Sequence, residues 1–376
     1  MSYFSPWPRR RHPYFTEPCL EGNVYTRGWR RNVDAGAMVV VTAPEMYVLG
    51  GRVRQERLAY GALFVAILGW GSLHVAAKPV VPIVGPIFVA LDRTAIAAIV
   101  LTLVCIGRGT GAALWSQYRQ YPGQLLLLGF LSFFGSSILA LAALDFLPAS
   151  INSILNNLGP LWLALGTTLT GKSQRPWLLA FGSFLAIVGV IVVLAPQEMG
   201  NAVARLDWRG VALSVASSVI IAFQALYGRK VMPGRDALVV TAGSATVTVP
   251  FLLVFAMFAT DPSSLRRLEP ISFVLLLYLG VVCTAMNFAC FNFALKHLSA
   301  TRATNVTYLI PPIGVALSVL ILHERAGWNL AFGLGATVVG IILAHYGTRR
   351  VTPHKTEGTS AVPIGDAVRD RPATRS

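Results

Sequence analysis

The sequence predicts an all-α polytopic membrane protein, with ten transmembrane helices arranged as two inverted five-helix repeats. Three observations carry this expectation. Of the 376 residues, 55% are hydrophobic and 12% charged, with a mean hydropathy of +0.62; a soluble domain carries about 25% charged residues. That balance excludes a soluble enzyme and, over most of the length, a disordered chain. Ten apolar runs reach the length of about 20 residues that a helix needs to cross a bilayer. Finally, the chain matches itself at an offset of 151 residues.

The runs fall at 58–78, 86–106, 124–144, 149–170, 177–195, 209–228, 238–259, 271–295, 303–322 and 328–346. The links between them are short, and several carry Gly, Pro or charge. Gly69, Gly71, Pro160, Gly189, Pro311 and Pro312 lie inside runs. They would weaken soluble helices, but membrane helices tolerate them. Residues 1–57 read as a basic cytoplasmic tail without regular structure, and 347–376 as a disordered cytoplasmic tail. The apolar stretch Ala35–Ala43 leads into Pro44 and Glu45 rather than a small-residue cleavage site, which argues against a signal peptide. Met1, Met38 and Met46 all stand as candidate translation starts. Cys19, Cys105, Cys283 and Cys290 show neither metal nor disulfide spacing, so the three inside the runs are expected to pack as small apolar residues.

The net charge of +15 sorts by side. With the N-terminus inside, 24 Lys and Arg fall on that side and six on the other, with Arg93 inside a run. The positive-inside rule then places both termini in the cytoplasm of a multi-pass inner-membrane protein. A nucleic-acid partner is not expected, because no basic patch carries interleaved aromatic or polar readers.

The repeat aligns 125–191 with 276–342 without a gap, at 19 identities over 67 positions. Trp177-Leu178-Leu179-Ala180-Phe181-Gly182 matches Trp328-Asn329-Leu330-Ala331-Phe332-Gly333 at five of six places, and Pro160 matches Pro311. Five spans per copy is an odd number, so the second copy enters the membrane from the opposite side. Charge supports the inversion: Asp145 aligns with Lys296, and Lys172-Ser173 with His323-Glu324. The expected domains are repeat 1 at 58–195 and repeat 2 at 208–346.

These residues resemble the drug/metabolite transporter superfamily in its ten-helix EamA-type form. The likeness rests on Leu68-Gly69-Trp70-Gly71-Ser72…Lys78, on Arg93 before an Ala-rich stretch, and on the Leu-Gly…Ala-Leu pattern of spans three and eight. It rests also on the prolines of spans four and nine, on Gly182…Gly189 with Gly333…Gly340, and on the His323-Glu324-Arg325 terminus. The sequence departs from the pattern after span four, where Gly171-Lys172-Ser173 replaces the acidic residue. The resemblance implies a transporter and favours export.

Ionisable residues inside a membrane are costly and mark function by default. Three lie within the runs: His74, Asp92 and Arg93, with Lys78 at an edge. Arg93 has two readings, contact with a carboxylate-bearing substrate or hydrogen bonding to another helix. Asp92 is a candidate for coupling and otherwise a local packing group. His74 sits four residues after Trp70 on one helical face, and is a candidate both for substrate binding and for proton coupling. Trp70 reads as a cavity wall or a packing residue, and Lys78 as snorkelling. Asn152 and Asn156 share a face in span four, as Asn305 and Tyr308 nearly do in span nine. Either these line a common substrate cavity, with Asn157 and Thr307 beside them, or they bond between helices. Asn287, Asn292, Gln224 and Tyr227 are second-tier candidates, and Glu324 is expected to pair with Arg325 or backbone amides.

The expected function is an alternating-access secondary transporter exporting a small polar metabolite such as an amino acid or related compound. The alternatives are a proton-coupled drug or organic-cation exporter and, more remotely, a membrane-embedded enzyme, for which His323-Glu324 is the only acid–base pair. No catalytic residue, cofactor or metal is expected. The expected partners are the substrate, the lipid bilayer and a second copy in a homodimer.

Overall fold

The computed structural model describes residues 43–169, 175–195, 197–199, 202–204, 207–298, 300–325 and 327–348. The readings of the N-terminal tail before Ala43, of Cys19, of Met1 and Met38 as starts, of Lys172-Ser173 and of the C-terminal tail after Thr348 lie outside them. The first expected run proves to be part of a longer helix, α1 (Ala43–Ala77). It is followed by α2 (Pro86–Gly107), α3 (Pro122–Asp145), α5 (Pro176–Leu194), α6 (Trp208–Val231), α7 (Ala237–Ala259), α8 (Pro270–His297) and α10 (Trp328–Thr348). Among the described residues, eight helices are thus long and apolar enough to cross a membrane. The other two crossings, α4 and α9, are each broken in two. The first halves are α4a (Ala149–Asn156) and α9a (Ala300–Thr307), and the second halves are α4b (Gly159–Leu169) and α9b (Ile310–Ile321).

Local chemistry sets the starts. Pro86, Pro122, Pro176 and Pro270 each open a helix where the missing N–H costs nothing. Asp207 and Asp236 cap α6 and α7, accepting from Arg209 N at 2.8 Å and Leu238 N at 2.9 Å. Gly85, at φ 82°, makes the turn into α2 in a conformation that excludes side chains at little cost only for glycine. The links are less empty than their composition implies. One holds an amphipathic helix at Gly111–Gln120, another a two-stranded hairpin of β1 (Gln197–Met199) and β2 (Ala202–Ala204).

Equivalent helices of the two repeats pack on one another in antiparallel pairs. In the α5–α10 pair, Gly182 lies against Gly340 and Ala344, while Gly189 lies against Gly333 and Thr337. The offset of 151 carries Gly182 onto Gly333 and Gly189 onto Gly340, so each contact is the image of the other. Two equivalent helices that run antiparallel are related by an axis in the membrane plane, which is the inverted arrangement. Near one end of α2, Leu101 and Cys105 share a cluster with Leu238, Val239 and Ala242 at the start of α7. That pair is therefore antiparallel as well.

Two departures from regular helix also repeat. α3 carries a π-helical segment at Phe130–Gly135 and α8 one at Val281–Met286, 151 residues apart at both ends. Phe258, Trp328 and Met257 stand on the outer surface at 88%, 82% and 74% exposure. Such side chains belong in lipid. The chain is a multi-pass membrane protein.

The α5–α10 contact leaves no room for side chains. A Cβ at residue 340 would stand 2.3 Å from Ala186 N and 2.6 Å from Gly182 O, and backbone cannot yield. Gly340→Val is expected to cost about 3 kcal/mol, at the upper part of the overpacking range. Thermal unfolding in nanodiscs should show a lower midpoint for this variant, whereas Gly335→Val, facing open space on the same helix, should melt as the wild type.

Candidate functional site

The breaks in α4 and α9 arise from one missing hydrogen bond, made twice. Pro160 and Pro311 have no N–H to offer the carbonyls of Asn156 and Thr307 four residues earlier, so each first half-helix stops there. Tight turns follow, with Asn157 N donating to Ile154 O at 3.2 Å and Leu309 N to Val306 O at 3.1 Å. Irregular backbone at this depth is tolerated where it lines a cavity. Here it does: a cavity of about 80 Å³ is lined by Asn156, Asn157, Thr307 and Tyr308, with Pro160 and Pro311. Residues of α6 and α10 close it, Ile221 from the first and Val338 and Ile341 from the second. Asn156 and Thr307 are repeat equivalents, as are Asn157 and Tyr308, so the cavity sits where the two copies meet. Its size is enough to admit water beside the broken helices.

A belt of hydrogen bonds surrounds it. Asn156 Oδ1 accepts from Ser217 Oγ at 2.7 Å, and its Nδ2 lies 3.5 Å from His74 Nε2. Ser217 Oγ also reaches Ser136 O at 2.8 Å. His74 is buried, and its Nδ1 has no hydrogen-bond partner among the described residues. Trp162 Nε1 donates to Ser218 Oγ at 2.8 Å. The structure therefore brings together His74, Asn156, Asn157, Thr307 and Tyr308.

The other candidates take different places. Asn152 is fully buried and donates to Ala140 O at 2.9 Å, which makes it a tie between α4a and α3. Asn305 lies half-buried on α9a and does not line the cavity. Arg93 donates from Nε to Thr284 Oγ1 at 3.2 Å and from Nη1 to Ser137 Oγ at 3.0 Å. Of its two readings, the interhelical one fits these contacts, and the bonds join α2, α3 and α8. Trp70 packs edge-on against Phe288 and Phe291, at 5.9 and 5.2 Å between ring centres. Asp92 opens instead into a separate pocket on the flank of the bundle. Gln224 bonds Ser132 Oγ at 3.0 Å, Asn287 bonds Cys283 O at 3.1 Å, Asn292 is buried in α8, and Tyr227 packs against Val231 and Val240.

The two ends of the bundle are held differently. At one end, Lys78 does more than snorkel: its Nζ donates to Leu144 O and, at 2.8 Å, to Leu147 O, where α3 finishes. Glu324 accepts from Ala149 N at 2.7 Å and from Ser150 N at 3.0 Å, so repeat 2 caps the first turn of α4a in repeat 1. Of the partners expected for Glu324, the backbone amides are the ones present. At the other end Asp236 takes Lys296 Nζ at 3.0 Å and Arg108 Nη2 at 3.6 Å. Burial opposes ionisation of this carboxyl, but the Lys296 hydrogen bond, the Leu238 amide and the two cations hold it below the usual carboxylate range.

Sequence reasoning missed Ser136, Ser137, Ser217, Ser218 and Thr284. Their signal was present as hydroxyls inside apolar runs, but hydroxyls inside membrane helices usually bond their own backbone, so nothing marked these out.

Compared with known proteins, residues 57–195 and 208–346 each match the EamA-like transporter family. An uncharacterized transporter of Bacillus subtilis (strain 168), YvbV, is 25% identical over 312 residues, covering 83% of this chain and 97% of the other. A probable amino-acid metabolite efflux pump of Escherichia coli (strain K12) is 26% identical, covering 60% and 77%. A probable biotin transporter of Pseudomonas aeruginosa is 23% identical, covering 77% and 98%. A solved crystal structure superposes with a TM-score of 0.56 at 21% identity, over 78% of this chain and 98% of that one, and so shares the fold.

Two expectations follow from the ends of the bundle. Glu324→Gln keeps the shape but removes the charge at the helix N-terminus, and should lower stability by about 1 kcal/mol in thermal unfolding. The Asp236 contribution, from a carboxyl whose folded value is depressed, is complete above the ordinary value of 3.8 and is lost as pH falls below it. Melting curves of wild type and Asp236→Asn should differ at neutral pH and converge in acid below that value.

Proposed function

Because the chain belongs to the EamA-like transporter family, we propose that this transporter exports a small polar metabolite, such as an amino acid or related compound, by alternating access. The observation that carries the reading is the cavity between the breaks of α4 and α9, where Asn156, Asn157 and Thr307 stand in a largely apolar lining. In inverted-repeat carriers the substrate sits at the repeat interface near the midplane, at discontinuous helices, and rocking of one repeat against the other exposes it to each side in turn. The polar lining residues are Asn156, Asn157 and Thr307, beside Tyr308 on an apolar frame, and none of the lining residues is charged. Such a surface suits neutral and zwitterionic polar solutes. A permanent cation would meet no carboxylate there, which disfavours the organic-cation alternative at this cavity.

Export rather than uptake is supported by the relative named as an efflux pump. Placement in the cytoplasmic membrane with both termini inside is supported by the excess of Lys and Arg on that side, 24 against six. His74 is a proton-coupling candidate through its contact with Asn156, a cavity residue.

Metabolite profiling of cells lacking and overproducing the protein tests the reading. One extracellular compound should rise with overproduction and fall on deletion. In Asn156→Leu, made at wild-type level in the membrane, its export should drop at least tenfold. Unchanged pools on both sides, or full export by Asn156→Leu, would count against it.

A further inference from the structure

On the flank of the bundle, away from the cavity of α4 and α9, α2 and α8 line a second, open pocket of about 400 Å³. It shares no residue with the first, and its volume lies in the range of small-ligand sites, about 300–1,000 Å³. Leu276 forms its floor at 4% exposure, while Phe273 and Leu277 stand at the rim at 56% and 57%. Such a rim opens onto the lipid. Leu265 and Leu268, from the link between α7 and α8, cover the end nearest the membrane surface.

Into these apolar walls projects one carboxylate. Asp92 is seven residues into α2, about 9 Å below its start at 1.5 Å per residue. Its Oδ2 is buried and has no hydrogen-bond partner among the described residues. The adjacent Arg93 does not neutralise it, since that guanidinium is turned to Ser137 and Thr284. The described ion pairs, which join Arg108 and Lys296 to Asp236, leave Asp92 without a cation. Asp92 lines the pocket without a cation, and a carboxylate in an apolar pocket that faces lipid is complemented by a group that brings both a positive charge and N–H donors on an apolar body.

We propose that this pocket binds a lipophilic primary amine from the membrane, its ammonium donating to Asp92 and its chain lying along Phe88, Ile96, Phe273 and Leu277. The site is distinct from the transport cavity and does not depend on which metabolite that cavity carries. The occupant would lie against α8 four residues before its π segment begins at Val281, where it can act on the helix without entering the transport path.

The test uses the full-length protein in nanodiscs, with n-octylamine as probe and thermal unfolding as readout. Octylamine should raise the melting midpoint in a saturable manner. 1-Octanol, which lacks the charge, and octyltrimethylammonium, which lacks N–H donors, should each require at least tenfold more ligand. Asp92→Asn should weaken the octylamine response at least tenfold. Should that variant fold poorly, Leu277→Trp, which fills the rim and leaves Asp92 in place, should abolish the response. Equal responses to octylamine and octanol, an unchanged response in Asp92→Asn, or an unchanged response in Leu277→Trp would each overturn the proposal.

Discussion

Proline cannot donate the hydrogen bond that continues a helix, and in this protein that constraint acts at Pro160 and Pro311, the same place in each repeat. Inside a membrane the lost bond cannot be replaced by lipid, so both breaks must turn inward, toward protein and whatever water reaches it. That requirement brings Asn156, Asn157, Thr307 and Tyr308 to a common point, beside hydroxyls of α6 and a carbonyl of α3. The cavity, the hydrogen-bond belt and the position of His74 all follow from where two amides are missing.

The remaining architecture divides into a close helix–helix seam and two ends joined by longer side chains. α5 and α10 approach so closely that their glycines touch backbone to backbone, which suits a fixed seam. The bundle ends use longer side chains. One end grips backbone, through Lys78 on carbonyls and Glu324 on amides. The other joins partly exposed side chains around Asp236, contacts that individually contribute little in water. The two closures are thus not copies of one another. The repeat preserved its frame and let its ends diverge, as the replacement of an acidic residue by Ser173 opposite Glu324 already indicates in the sequence.

Hydropathy and charge sign made the spans and their inversion legible because they are summed over many residues, and Trp, Phe, Gly and Pro in register did the same for the duplication. Hydropathy could not reveal the breaks, since Asn156 to Pro160 and Thr307 to Pro312 interrupt hydrogen bonds without interrupting an apolar run. The same limit hid the partners of Arg93 and Lys78. Both were marked as costly charges, but their partners, Ser137, Thr284 and the carbonyls of Leu144 and Leu147, are separated by 44 to 191 residues and carry no spacing signal. Asn152 and Asn156 were read as one face, and they are; one bonds a neighbouring helix and the other faces the cavity.

The paired π segments carry a record of descent. A π turn holds one residue more than the α-helix around it, so acquiring one amounts to a single-residue insertion that rotates everything beyond it by about 100°. Two independent insertions would have to land on matching residues in halves that now share only 19 of 67 aligned positions. The economical history is that the insertion preceded the gene duplication. The alignment runs through both segments without a gap, as that history requires, since an insertion in one copy alone would have shifted the offset from 151.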